Sequence, residues 1–220
     1  CHGTSNFIDR KFEEDYEISV SDAEALFTQL LTSEQIKQVA GLIAKRLDRK
    51  LQPFDIWYDG FKDRSTMDQA ELDKMVRAKY PTKDAFAQDL PNILVKLGFS
   101  EEKAYFICKN VAVDASVGAG HAWESMMRND KSMLRTRVGA NGMDYKGYNI
   151  GVHEFGHNVE QTISLHDVPN YFMRGVPNTA FTEALAFTFQ NKDLELLGVK
   201  SGNQELSEDL NTLDIFWGCY

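Results

Sequence analysis

Long apolar runs are missing from this 220-residue chain. No stretch approaches the roughly 18 residues a membrane span needs, so no transmembrane segment is expected. Cysteine is scarce as well: Cys1, Cys108 and Cys219 are too few and too scattered for a disulfide framework and lack metal-site spacing. They fit a reducing compartment, and a cytoplasmic location is the first expectation. Basic charge is also short. There are 24 lysines and arginines against 33 acids, a net charge of -9, and a pI near 5.1. That balance argues against nucleic acid or an anionic membrane as partner. An initiator methionine is absent, and 210–220 keeps helical apolar spacing with no stop signal. The chain therefore reads as an internal or proteolytic piece of a larger protein. An alternative takes Cys1, followed by the polar His-Gly-Thr-Ser-Asn, as the lipidated first residue of a mature bacterial lipoprotein of the periplasm or outer membrane.

What is present is ordinary globular material, 43% hydrophobic and 26% charged, enough for one substantial core. Residues 1–20 are polar and acidic and read as a poorly ordered arm, with a helical region over 21–220. Ser21-Asp-Ala-Glu24 has the form of a capping box opening a helix to about Leu31, and Thr32-Ser-Glu-Gln35 opens another to about Leu51. Shorter helices are expected over Met67 to Ala78, Asp84 to Leu97 and Ser100 to Lys109, with breaks at Pro53 and Pro81. Ser132 to Val138 is strand-like. The fold class expected is mainly α, with a short β segment in the second half. Neither an internal repeat nor a low-complexity tract interrupts the pattern.

The most informative stretch is His153-Glu154-Phe155-Gly156-His157, an H-E-x-x-H inside a run, Tyr145 to Ser164, that reads as a helix. Two histidines four apart lie one above the other on a helix face, so both imidazoles can reach one ion. Glu154 stands about 100° around the helix, beside the ion. There it can act as general base toward a metal-activated water. Val152, Phe155, Val159 and Ile163 form an apolar stripe next to the histidine face, which would bury the helix and leave the ligands facing a cleft. Gly151 and Gly156 are poor helix formers and point to close approach of another backbone, either a strand or a ligand-bearing helix.

Catalytic zinc takes three protein ligands and leaves a fourth position to water. The candidate third ligand is Glu183, in Phe181-Thr182-Glu183-Ala184-Leu185-Ala186-Phe187. Asn178 or Thr179 can cap that helix, and Phe181, Leu185 and Phe189 would form its buried face. Glu183 is the only acid between Asp167 and Asp193, and a carboxylate in apolar surroundings is costly unless it meets a cation. A salt bridge to Arg174 is the structural alternative, and His166 is the competing ligand. One Zn2+ per chain is thus expected on His153, His157 and Glu183. The imidazole N–H groups need acceptors. Phe187, one turn after Glu183, cannot serve; Asp114 and Asp144 are candidates.

HEFGH followed after 26 residues (183 minus 157) by a glutamate in an F-T-E-A-L-A-F helix resembles the gluzincin metallopeptidases, specifically the thimet oligopeptidase and oligoendopeptidase family. Gly175-Val176-Pro177 resembles the loop those enzymes carry before the glutamate helix. Leu51-Gln52-Pro53-Phe54-Asp55-Ile56-Trp57-Tyr58 looks like the family's proline-aromatic-aspartate segment, and Gly118-Ala119-Gly120-His121 like its glycine-rich turn. The resemblance covers residues 51–220 and is strongest over 144–187. It implies a zincin-like catalytic region and a zinc peptidase acting on short peptides. Two features depart from the family pattern. Glu160 stands where a further histidine is frequent, and the oxyanion-stabilising tyrosine or histidine would lie beyond Tyr220. The expectation is a chain that binds zinc but turns over poorly on its own.

In zincins the strand before the zinc helix pairs with an extended peptide, so Ser132 to Val138 is the expected docking edge. Arg128, Lys131, Arg135 and Arg137 form a basic cluster there, with Arg135 and Arg137 on one face and Thr136 on the other. Arg135, Arg137, His121 and Tyr171 are the candidate substrate contacts. The aromatic segment around Phe54, Trp57, Tyr58 and Phe61 is a packed connector or a wall of the cleft. Two other functions remain open: a zinc hydrolase acting on a non-peptide substrate, and a helical binding module with a decayed motif.

Overall fold

Helix starts in this chain follow small polar side chains that take up free backbone N–H groups. The computed structural model describes residues 6–16, 18–58, 67–175 and 179–199. Asn6 caps α1 (Phe7–Arg10) and Ser19 caps α2 (Val20–Leu31). Ser33 caps α3 (Glu34–Leu47). The caps therefore lie at Ser19 and Ser33 rather than at Ser21 and Thr32, because the Ser19 and Ser33 hydroxyls accept from the N–H groups of Asp22 and Ile36. The expected arm is helical from Phe7, with α1 running into a wide turn over Lys11–Tyr16. Helix α3 stops four residues before Leu51, where Asp48 takes a left-handed conformation at φ 50.

The chain divides into two units. The first comprises residues 1–64, 178–181 and 201–220, and the second 65–177 and 182–200. In the first, Val39 and Ile43 of α3 are buried with Leu42, Leu47, Leu51 and Tyr58 packed against them. A 3-10 turn, Pro53–Trp57, begins at its proline, and Arg49 pairs with Asp55 at 2.7 Å and lies over the Phe54 ring. Tyr58 thus belongs to a packed connector, whereas Phe54 is exposed. Phe61, like Val176, Pro177, Asn178 and the 210–220 segment, lies outside the described residues.

The second unit holds α4 (Gln69–Lys79), α5 (Lys83–Lys96), α6 (Glu101–Lys109), β1 (Val111–Ser116), β2 (His121–Trp123), β3 (Ser132–Arg137), α7 (Tyr145–Asp167), α8 (Thr179–Gln190) from Thr182 onward, and α9 (Asp193–Leu197). The described chain is mainly helical with one three-stranded sheet. The sheet has the order β1-β3-β2, with β1 parallel and β2 antiparallel to β3. Leu134 and Thr136 point into the core, where the Thr136 hydroxyl donates to the Gly147 carbonyl on α7. Tyr80, Phe86 and Tyr148 stack and cross at ring separations of 5.2–6.3 Å and fill the space between α5 and α7. None of the helices among the described residues is long and apolar enough to cross a membrane.

Candidate metal centre

Helix α7 is the scaffold of the site, and the sheet and α8 set its position. Asp144 caps it by accepting from the Gly147 N–H at 2.8 Å and pairs with Arg137 of β3. Val152, Phe155 and Val159 are at most 1% exposed, which buries the expected stripe and turns the histidine face outward. The glycines mark close backbone approach on two sides. A Cβ on Gly147 would collide with the Arg137 carbonyl, and one on Gly156 would stand 2.7 Å from the Ala186 Cα. At Gly156 the close neighbour is the α8 backbone, one of the two expected; at Gly151 it is no backbone, since a Cβ there would stand 3.0 Å from the Phe86 ring and 3.3 Å from the Thr136 hydroxyl. Among the described residues of α8, Ala186 and Phe189 are buried, while Phe181 is 56% exposed. The inward face is thus centred on the small residue that admits Gly156.

This approach brings Glu183 to the two histidines. Its Oε2 lies 3.5 Å from His153 Nε2 and its Oε1 3.5 Å from His157 Nε2. Ligand atoms of all three residues lie within 4.8 Å of one another. Separations of 3.5 Å are long for hydrogen bonds between such groups. They suit two ligands of one tetrahedral ion, which at about 2.1 Å each from zinc stand about 3.4 Å apart. The donor set, two imidazoles and one carboxylate, is that of a catalytic zinc site. Burial lowers the His157 pKa, with the nearby His153 acting in the same direction and Glu183 opposing it. A neutral imidazole is the form that binds a metal.

Glu154 projects to the sheet side. Burial raises its pKa to about 7; the Glu183 charge adds to this, while His121 and the Ala122 backbone N–H oppose it. Gly120 makes room for it, since a Cβ there would stand 3.0 Å from the carboxylate and would collide with Ile150. The glycine-rich turn therefore has a steric reason: it lets β2 lie against the general-base candidate.

The remaining expected site residues are placed differently. His121 lies in β2 rather than in the turn, opposite Arg135, with its ring 5.4 Å from that of Trp123. Arg135 is paired with Asp114 at 2.7 Å and lies over the Trp123 ring, and Arg137 is paired with Asp144. Of the three arginines in the basic cluster, Arg135 and Arg137 are therefore each paired with a neighbouring acid. Arg128 donates to the Leu165 and Val168 carbonyls at the end of α7. Tyr171 donates its hydroxyl to the Met126 carbonyl at 2.6 Å, and its ring lies under Arg174. Arg174 reaches Glu124 at 3.5 Å, so the Arg174 partner is not Glu183. His166 packs edge-on against Phe106 and stands outside the ligand cluster. Strand β3 is not a docking edge, because it is paired on both sides; β1 and β2 are the edges.

The acceptor beside His153 is neither Asp114 nor Asp144, both held by arginines. It is Gln190, whose Oε1 lies 3.1 Å from Nδ1. Gln190 is seven residues beyond Glu183, two helical turns on the same face, and that spacing is the signal a search one turn away passes over. Phe187, between them, packs edge-on against the His153 ring at 5.1 Å.

Comparison of the chain with protein-family models, with characterised proteins and with solved structures finds no match.

Proposed function

We propose that this chain carries the catalytic region of a zinc-dependent metallopeptidase of zincin type, with His153, His157 and Glu183 as ligands and Glu154 as general base. The observation that carries the reading is the pair of 3.5 Å separations between the Glu183 carboxylate and two Nε2 atoms, a spacing suited to a shared ion. Zinc bound there would supply a water acidic near neutral pH and a polarised carbonyl. Glu154 takes the proton of the attacking water on its carboxylate and delivers it to the leaving nitrogen. A pKa near 7 suits a group that must both accept and return a proton. Edge strand β2 offers backbone groups for an extended peptide, and His121 and Trp123 flank that edge. Short peptides are the proposed substrates, in keeping with the motifs that resemble the oligopeptidases.

The test is cleavage of short unstructured peptides by the zinc-loaded chain, followed by mass spectrometry. Slow cleavage that is lost in Glu154→Gln is the expected result, in keeping with a chain that turns over poorly on its own. A zinc-loaded chain that hydrolyses esters but no peptide, or whose peptide cleavage persists in that variant, would contradict the proposal.

A further inference from the structure

The second ring nitrogen of His153 faces a line of side chains that the proposed hydrolytic step does not use. Nδ1 lies 3.1 Å from Gln190 Oε1, Gln190 Nε2 donates to Asn149 Oδ1 at 2.7 Å, and Asn149 Nδ2 donates to Asp193 Oδ2 at 2.6 Å. Asp193 is 1% exposed. Its side chain also accepts from the Tyr145 hydroxyl at 2.7 Å and the Leu194 N–H at 2.6 Å.

A side-chain amide can be turned end for end with little change in shape, so the direction of an Asn–Gln pair is set by whichever neighbour cannot reverse its role. Asp193 is that neighbour, since a carboxylate has no hydrogen to give. Asn149 must then turn its NH2 toward Asp193 and its oxygen toward Gln190. Gln190 in turn directs its NH2 to Asn149 and its oxygen to His153. An oxygen facing Nδ1 requires a hydrogen on Nδ1, which leaves Nε2 with a free lone pair on the side where Glu183 stands 3.5 Å away. The edge-on Phe187 ring holds the imidazole plane against rotation.

We infer that Asp193, acting through Asn149 and Gln190, fixes His153 in the tautomer with its hydrogen on Nδ1, so that Nε2 is preset as a metal ligand. Gln190 is a positioning residue in this scheme, and Asp193 sets the polarity of the relay. The purpose of the relay rests on the metal-site reading; the tautomer itself is a property of the metal-free chain.

Nitrogen-15 NMR of the metal-free chain, labelled at histidine and recorded above the imidazole titration range, tests this directly. His153, assigned with a His153→Asn variant, is expected to show a protonated Nδ1 and an unprotonated Nε2. Gln190→Met, which keeps length and removes the acceptor, should shift His153 toward the other tautomer and weaken zinc binding roughly 10- to 100-fold. Gln190→Glu restores an acceptor and should keep the hydrogen on Nδ1. A hydrogen on Nε2 in the unaltered chain, or a tautomer indifferent to Gln190→Met, would overturn the inference. If Gln190→Met does not fold, the unaltered chain and Gln190→Glu decide the matter. A fixed, Gln190-dependent tautomer in a chain that takes up no zinc would uphold the relay and remove the metal reading. Zinc uptake with a tautomer independent of Gln190 would do the reverse.

Discussion

Glu154 sits one residue from His153, a proposed metal ligand, on the side of the helix that meets the sheet: burial and the Glu183 charge raise its pKa, while His121 and a backbone N–H restrain the rise. Ionising it costs more in the folded chain than in the unfolded one. Its contribution to stability is therefore most favourable below the unfolded value near 4.5 and is lost as pH rises through about 7. Glu154→Gln should stabilise the metal-free chain at pH 8 by about 1 kcal/mol, once solvent screening of a half-buried group is allowed for. That advantage should vanish near pH 4, as followed by urea unfolding at the two pH values. An equal effect at both would mean that the gain is packing and not charge. At this scale the shared face of His153 and His157 was legible from spacing alone, because a helix places i and i+4 on one face. The Asn149–Gln190–Asp193 line was not, since amide side chains have no spacing signature until a fold brings their helices together.

Between elements, the decisive contact is the crossing of α7 and α8 at Gly156 and Ala186. Gly156→Ala should force the helices apart, lower the unfolding free energy by about 1–3 kcal/mol and weaken zinc binding. Chemical denaturation and zinc titration of that variant measure both, and unchanged values would show that the close fit of Gly156 against Ala186 is not needed. Gly156, inside H-E-x-x-H, announced this closeness in the sequence, whereas Gly151 meets the Phe86 and Thr136 side chains and no backbone; the strand expected at Ser132 to Val138 is present over Ser132–Arg137. Its place at the centre of the sheet did not. Which strand is an edge depends on pairing between distant residues, and β2 has only the three residues His121–Trp123, too few to show a period. Helix caps were misplaced by one or two residues because neighbouring serines and threonines offer equivalent hydroxyls, and only backbone geometry selects among them.

For the whole molecule, a bound ion acts as a stabilising ligand of the folded state. Zinc at about a hundred times its dissociation constant should raise the unfolding free energy by about 2.7 kcal/mol, and a chelator should reverse the gain. Scanning calorimetry with and without chelator reads this, and a melting temperature indifferent to both would place the three ligands in a site without metal. The most direct measurement is the zinc content of the purified 220-residue chain beside that of Glu183→Ala. One zinc per chain is expected, lost or greatly weakened in the variant. No zinc after incubation with the metal, or zinc held equally well without Glu183, would contradict a centre built from His153, His157 and Glu183.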